Sequence, residues 1–186
     1  YHGRLARARA FTERAIDSAR HDGDEETALS YAAIGALREA EFGNRELATR
    51  QVAAALKRER GQQVLTLGTL ALARAGTAEK ALVLAQSLNQ QFPKDTLLNE
   101  YWLPTIRAAV ELHGNNPSQA IESLEPSIPY ELAAPRLPTY VLLYPIYLRG
   151  LAYLAAGLAD QAKAEFQKIL DHPGLTTSWA RRLIWV

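Results

Sequence analysis

A small alanine recurs through this chain at positions 8, 48, 81, 120 and 162, separated by 40, 33, 39 and 42 residues. A turn with Gly or Asn precedes each one, and a ladder of bulkier apolar residues usually follows. A period in this range marks stacked helix pairs, because a unit so short cannot bury its own apolar face and must lay it on a neighbour. The expected fold is all-α, an α-solenoid of antiparallel helix pairs running as a single array over residues 1–186. For such a chain the functional question concerns surfaces before catalytic residues.

Helical periodicity supports this segment by segment. Leu5, Ala8, Phe11, Ala15 and Ala19 recur at three- and four-residue steps and form one apolar stripe. His21-Asp22-Gly23 interrupts it, and Asp24-Glu25-Glu26 opens the next helix with acids near the positive end of its dipole. That helix is expected to reach Phe42 and stop at Gly43-Asn44. Further helices are expected over 45–59, 63–75, 77–92, 96–113, 118–127, 140–156 and 159–170. A link containing Pro126, Pro129, Pro135 and Pro138 precedes the last two. No stretch alternates with the period of two that a strand requires. Gly3–Arg20 and Leu175–Val186 read as halves of incomplete pairs, so the sequence is expected to be a piece of a longer polypeptide.

Composition narrows the chemistry. There is no cysteine, which excludes disulfides, thiolate metal sites and cysteine nucleophiles. The 21 basic and 20 acidic residues nearly cancel, so no strong attraction to nucleic acid or to an anionic membrane is expected. No apolar run approaches the roughly 18 to 20 residues that cross a bilayer, and no signal peptide is visible. The run from Val141 to Leu148 reads as the start of a buried helix.

Where stacked helices touch, only small residues fit, and larger neighbours fill the remaining gaps. The clearest unit reads Gly150, Tyr153, Gly157, Ala162, Phe166 and Pro173. This order of small residue, aromatic, turn glycine, alanine, aromatic and proline resembles the tetratricopeptide repeat. Leu72, Gly76, Ala81, Leu88 and Pro93 keep corresponding spacings, as do Ala36, Gly43, Ala48, Val52 and Ala55. Around Ala120 the spacing is looser, and either a one-residue insertion or Asn115 takes the turn position. The resemblance implies a right-handed superhelix.

Four strings carry a narrower resemblance: REAEFGN from Arg38, FPKDTLLNEYWLPTIRAAVEL from Phe92, YPIYLRGLAYLAAG from Tyr144 and AEFQKILDHPG from Ala164. They are similar to the C-terminal repeat regions of bacterial eukaryotic-like serine/threonine protein kinases; similar arrays also follow winged-helix transcriptional regulators. The resemblance implies a sensor or docking region, either cytoplasmic or, in a membrane-anchored kinase, extracytoplasmic. It also implies no kinase activity here, since the Gly-rich phosphate loop, the His-Arg-Asp loop and Asp-Phe-Gly are all missing.

Candidate sites follow from these readings. His2, His21, His113 and His172 lack partners at metal-binding spacing, so no metal or other cofactor is expected. The acid pairs Asp22 with Asp24, Glu25 with Glu26, and Glu39 with Glu41 read as caps or solvated charges, and no catalytic residue is assigned. Arg4, Arg7, Arg9 and Arg14, with Lys57, Arg58 and Arg60, read as a solvated helical face with acids interspersed. In tetratricopeptide-like arrays the first helix of each pair lines a concave face, which by alignment would present Gln63, Thr66, Arg74, Thr105, His113, Tyr144 and Tyr147 to a peptide. The tyrosines suit either that groove or the filling of gaps beside the proline-rich link. Ala48, Ala81, Ala120, Gly150, Tyr153, Gly157, Ala162 and Phe166 are expected at repeat-packing positions. Ala33, Leu37, Thr66 and Leu70 stand where some of these domains clamp a peptide's carboxylate, which disfavours chaperone-tail binding. The expected role is a non-catalytic interaction or scaffold module for a protein or peptide. Self-association is the rival reading, one that an exposed apolar patch at Trp102 would favour.

Overall fold

Five turns of this chain share one construction. In the computed structural model, which describes residues 5–58, 61–132, 143–172 and Leu175, Gly23, Gly43, Gly76, Asn115 and Gly157 all take positive φ, from 60° to 82°. Each donates its N–H to the carbonyl three residues back, and the next residue donates to the carbonyl five back, as in Gly43 to Ala40 (3.0 Å) and Asn44 to Glu39 (2.8 Å). This pair of hydrogen bonds closes a helix C-terminus by satisfying two otherwise orphaned carbonyls. It requires a residue that tolerates the left-handed region, which glycine does without steric cost and asparagine does better than most. Asn115, not Gly114, takes that position, so the looser spacing around Ala120 needs no insertion.

Five residues after each left-handed residue stands an alanine with no exposed surface: Ala28, Ala48, Ala81, Ala120 and Ala162. Each donates its N–H to the carbonyl four residues back, at 3.0 to 3.1 Å, and so sits in the first turn of the following helix. A methyl fills the space where that helix meets its neighbours. Ala162→Leu should therefore cost about 1 to 3 kcal/mol by overpacking. An unchanged thermal midpoint would show that the site has room.

The helices are α1 (Leu5–His21), α2 (Glu25–Glu41), α3 (Arg45–Arg58), α4 (Gln62–Arg74), α5 (Ala78–Gln91), α6 (Leu103–His113), α7 (Pro117–Ser123), α8 (Tyr144–Ala155) and α9 (Ala159–Asp171). A π-helical turn, Leu98–Trp102, leads into α6, and a 3-10 segment, Glu125–Tyr130, follows α7. No strand occurs among the described residues. The expected helix after Leu175 lies outside them, as do Arg4, Arg60, Pro135, Pro138, Tyr140 and Pro173.

The chain divides into two compact units, Tyr1–Leu88 and Asn89–Val186. Within the first, α2 packs against α1, α3 and α4. That central position explains why Ala28, Leu29, Ala33, Ala36, Leu37 and Ala40 are all buried along a single helix. Asp24 caps α2 by accepting the Thr27 amide at 3.0 Å, and the Thr27 side chain first, with this bond second, holds its carboxyl below the usual aspartate range.

In the second unit, α7 packs on α6 and α8, α8 on α9, and α6 also touches α8. The π turn has a local cause. Pro104 has no N–H, and its ring crowds the carbonyl four residues back, so a regular helix cannot pass through Glu100 unchanged. The backbone widens instead, and Leu103 N–H bonds to the Leu98 carbonyl five residues back. Asp95 starts this helix by accepting the Leu98 amide at 2.8 Å. At the entry to α8, Leu143 is fully buried with φ of 66°. A leucine in that region costs roughly 1 to 2 kcal/mol, which the packing around its side chain must offset.

Candidate functional site

Most residues expected to line a groove are interior. Thr105 and Tyr144 have no exposed surface, Thr66 is 5% exposed and Tyr147 6%. The Thr66 hydroxyl donates to the Gln62 carbonyl and the Thr105 hydroxyl to the Tyr101 carbonyl, so both are spent on their own helices. Arg74 is half-buried and forms a two-pronged pair with Glu41. Gln63 is half-buried and His113 exposed.

The tyrosines instead knit α8 to itself and to α9. The Tyr144 and Tyr147 ring centroids lie 5.6 Å apart, and Tyr147 lies 6.4 Å from Phe166. Phe166 presses on the backbone at Gly150, where a Cβ would meet three ring atoms, all within 2.9 Å. Gly150 is thus a close-approach glycine, a position where any side chain would push the two helices apart. Of the remaining expected packing residues, Tyr153 and Phe166 are half-buried and Gly157 is an exposed turn residue. Trp102 is 3% exposed and meets Tyr101 edge-on at 4.9 Å, so it forms no surface patch.

The acids hold the main correction to the sequence reading. Glu39 is not a solvated charge: it is completely buried on α2. Arg9 of α1 grips its carboxylate with Nε at 2.9 Å and Nη2 at 2.6 Å, and Asn44 adds a third donor at 2.8 Å. Arg38 stands 3.8 Å away and donates to the Thr12 hydroxyl at 2.8 Å, tying α2 to α1 again. The Arg9 hydrogen bonds hold the Glu39 carboxyl below the usual glutamate range, against the opposing effect of burial; Asn44 and the Arg9 and Arg38 charges add to them. Glu41 is half-buried, with its side chain nearly covered by the pairing to Arg74, and Glu25 pairs with Arg58 at 2.9 Å. Asp24 is a cap, as expected, and Asp22 and Glu26 are exposed, as solvated charges are.

A depressed folded value means that Glu39 contributes stability above the ordinary glutamate value of about 4.3. That contribution fades as pH falls through the lower folded value. Urea midpoints measured from about pH 6 down to pH 3 should fall less steeply for Glu39→Gln than for the parent chain. Parallel acid limbs would show that Glu39 does not titrate with folding.

The arginines of α1 are also less plain than a solvated face. Arg7 and Arg14 hold their guanidinium carbons 5.5 and 5.8 Å from the ring centroid of Phe11, which is 48% exposed. An aromatic ring therefore does interleave these cations.

The second unit contains a larger ionic centre that sequence reasoning missed. Arg149 of α8, Glu165 of α9 and Glu131, just after the 3-10 segment, are each at most 6% exposed. Arg149 grips Glu131 with two hydrogen bonds, at 2.6 and 2.7 Å, and reaches Glu165 at 2.7 Å. Lys168 holds the other Glu165 oxygen at 2.6 Å. The Ser127 hydroxyl lies 2.9 Å from Glu131 and 2.7 Å from the Leu124 carbonyl, and its single proton serves one of these acceptors at a time. Burial alone would depress the Arg149 value, but the bonds to Glu131 and Glu165 outweigh it and raise it further. Tyr101 is pushed above the ordinary tyrosine range by burial first and by the Glu131 charge second.

A sequence signal for these centres exists. Glu39 follows Ala36 by three, Arg149 follows Ile146 by three, and Glu165 lies between Ala162 and Ile169 at helical spacing. An ionisable residue standing on an apolar stripe has to be buried and paired. What sequence could not supply was the partner.

Among the described residues no group of three or more His, Asp or Glu is arranged to hold a metal ion. No helix among them is long and apolar enough to cross a membrane. The described residues form an all-helical fold, with ionic pairs tying neighbouring helices together. Comparison with protein-family models, with curated proteins and with solved structures finds no match to the chain.

Proposed function

We propose that this chain is a tetratricopeptide-like array of helix pairs that serves as a non-catalytic protein-interaction or scaffold module. One observation carries the reading: a left-handed turn residue with a fully buried alanine five residues later, repeated five times among the described residues. Repetition of one packing joint is how helix-pair arrays present extended surfaces to a protein or peptide. The further assignment, to the sensor or docking region of a bacterial serine/threonine kinase, rests on the four resembling strings alone. A place behind a winged-helix regulator is the other context those strings allow.

The burial of Thr66, Thr105, Tyr144 and Tyr147 moves the proposed contact surface away from them. A titration of the purified chain with a partner recovered by affinity capture tests the proposal. Saturable binding at a fixed stoichiometry is the expected result. Turnover of a substrate by the purified chain would overturn the non-catalytic reading.

Self-association has its own supporting observation in neighbouring exposed residues of α5, Leu82 (45%) and Val83 (62%). Light scattering over a range of concentrations separates the two. Under the self-association reading Val83→Lys shifts the chain to monomer; a monomer at every concentration removes that reading.

A further inference from the structure

The segment from Glu125 to Leu132 is attached in an unusual way. Ile128 and Leu132 leave 53% and 50% of their surface exposed, and Glu125, Pro126 and Pro129 are exposed as well. Its buried residues are Ser127 and Glu131, both polar. A strap held by the hydrophobic effect would bury its apolar residues and leave its glutamate in water. This one does the reverse, lying on the π turn and α6 and presenting a carboxylate to Arg149 of α8, which also holds Glu165 of α9.

The centre it enters is built to survive its departure. Withdrawing one partner of a buried pair normally strands the other charge. Here Arg149 keeps Glu165 at 2.7 Å, and Glu165 keeps Lys168 at 2.6 Å. With Glu131 in place the two acids balance the two bases. Without it the centre carries one net positive charge, with a guanidinium that has lost its two-pronged carboxylate partner. That is a receptor for a carboxylate.

We propose that Glu125–Leu132 is an internal ligand occupying a carboxylate-recognition site centred on Arg149, and that an acidic peptide segment of a partner protein competes for the same site. This rests on the interaction-module reading and names the chemistry of its partner. Ile128 and Leu132, facing outward in the occupied state, do not oppose the exchange.

Two measurements test it. In hydrogen exchange on the intact chain, Glu131→Gln should speed exchange across 125–132 by about tenfold or more while leaving the α8 amides of Tyr147 and Ala152 unchanged. A peptide with the sequence of residues 124–132 should then bind Glu131→Ala about tenfold more tightly than the parent chain, in which the tethered strap competes. The same peptide with Gln in place of the Glu131 equivalent should lose that advantage. Equal affinity for the two chains, or no binding to either, overturns the proposal. So does coupled acceleration of strap and α8 exchange, or a Glu131→Ala chain without helical circular dichroism, since the strap would then be part of the core. Peptide failure alongside continued capture of a protein partner elsewhere removes this site and leaves the module reading standing.

Discussion

Arg149→Ala is expected to lower unfolding stability by about 3 to 5 kcal/mol, the range typical of removing one partner from a buried ionic cluster. The loss comes from what stays behind. Glu131 and Glu165 would share a nearly sealed space in which, among the described residues, Lys168 is the remaining cation, and it contacts Glu165. At least one carboxylate would have to take up a proton or draw water inward. Urea unfolding monitored by circular dichroism reads the effect directly. A second variant separates ionic from steric loss: Arg149→Met combined with Glu131→Leu and Glu165→Leu removes every charge that Arg149 balances. That triple variant should recover much of the stability, because apolar replacement of a whole buried cluster is often neutral or favourable. A triple variant as weak as Arg149→Ala would place the cost in packing rather than charge.

Tyr144→Ala should produce a loss of similar size, about 3 to 5 kcal/mol, as large aromatic truncations in a core do. Tyr144 has no exposed surface, and its ring stacks obliquely on Tyr147. Tyr147 in turn touches Phe166, the ring that leaves no room for a Cβ at Gly150. Truncation at the head of this chain therefore loosens the seam between α8 and α9 along its length. Tyr144→Phe keeps the ring and should cost only about 1 kcal/mol. Thermal or urea midpoints of the pair check both figures, and a Tyr144→Ala midpoint near the parent's would show that the cavity collapses. The result also bears on binding assays: partner loss in a Tyr144→Ala, Tyr147→Ala chain would report unfolding as readily as a lost contact.

The helices were legible because their signals are local. Alanine spacing, apolar stripes and Gly or Asn stops lie within a few residues of the structure they dictate, and the observed helix ends fall within a few residues of those expected. Gly23 shows where that reading was too narrow. It makes the same turn as Gly43 and carries its own buried alanine, Ala28, only 20 residues before Ala48, outside the period of about 40. The π turn was missed because Pro104 reads equally well as a residue in a helix's first turn. The candidate groove was the least legible part. Thr66, Thr105, Tyr144 and Tyr147 were placed by analogy with a shared face, but burial depends on what folds across that face, and no local pattern records it. The same limit hid the partners of Glu39 and Arg149. Their positions on apolar stripes are visible in the sequence, whereas Arg9 and Glu131 lie 30 and 18 residues away.

The π turn also acts as a phase shifter. Each residue of an α-helix advances the side-chain direction by about 100°, from 3.6 residues per turn. The wider turn absorbs one additional residue, so side chains before it point about 100° away from where an unbroken helix leading into α6 would aim them. Leu98, Tyr101 and Trp102 come inward on one side of this offset, and Ile106, Ala108 and Ala109 on the other. A chain one residue shorter here, with Pro104 replaced, would restore a regular helix and rotate Tyr101 out of its buried seat beneath the strap. Proline at this position thus sets the azimuth of the helical turn just before it, and a single-residue deletion would be felt there as a rotation instead of a shortening.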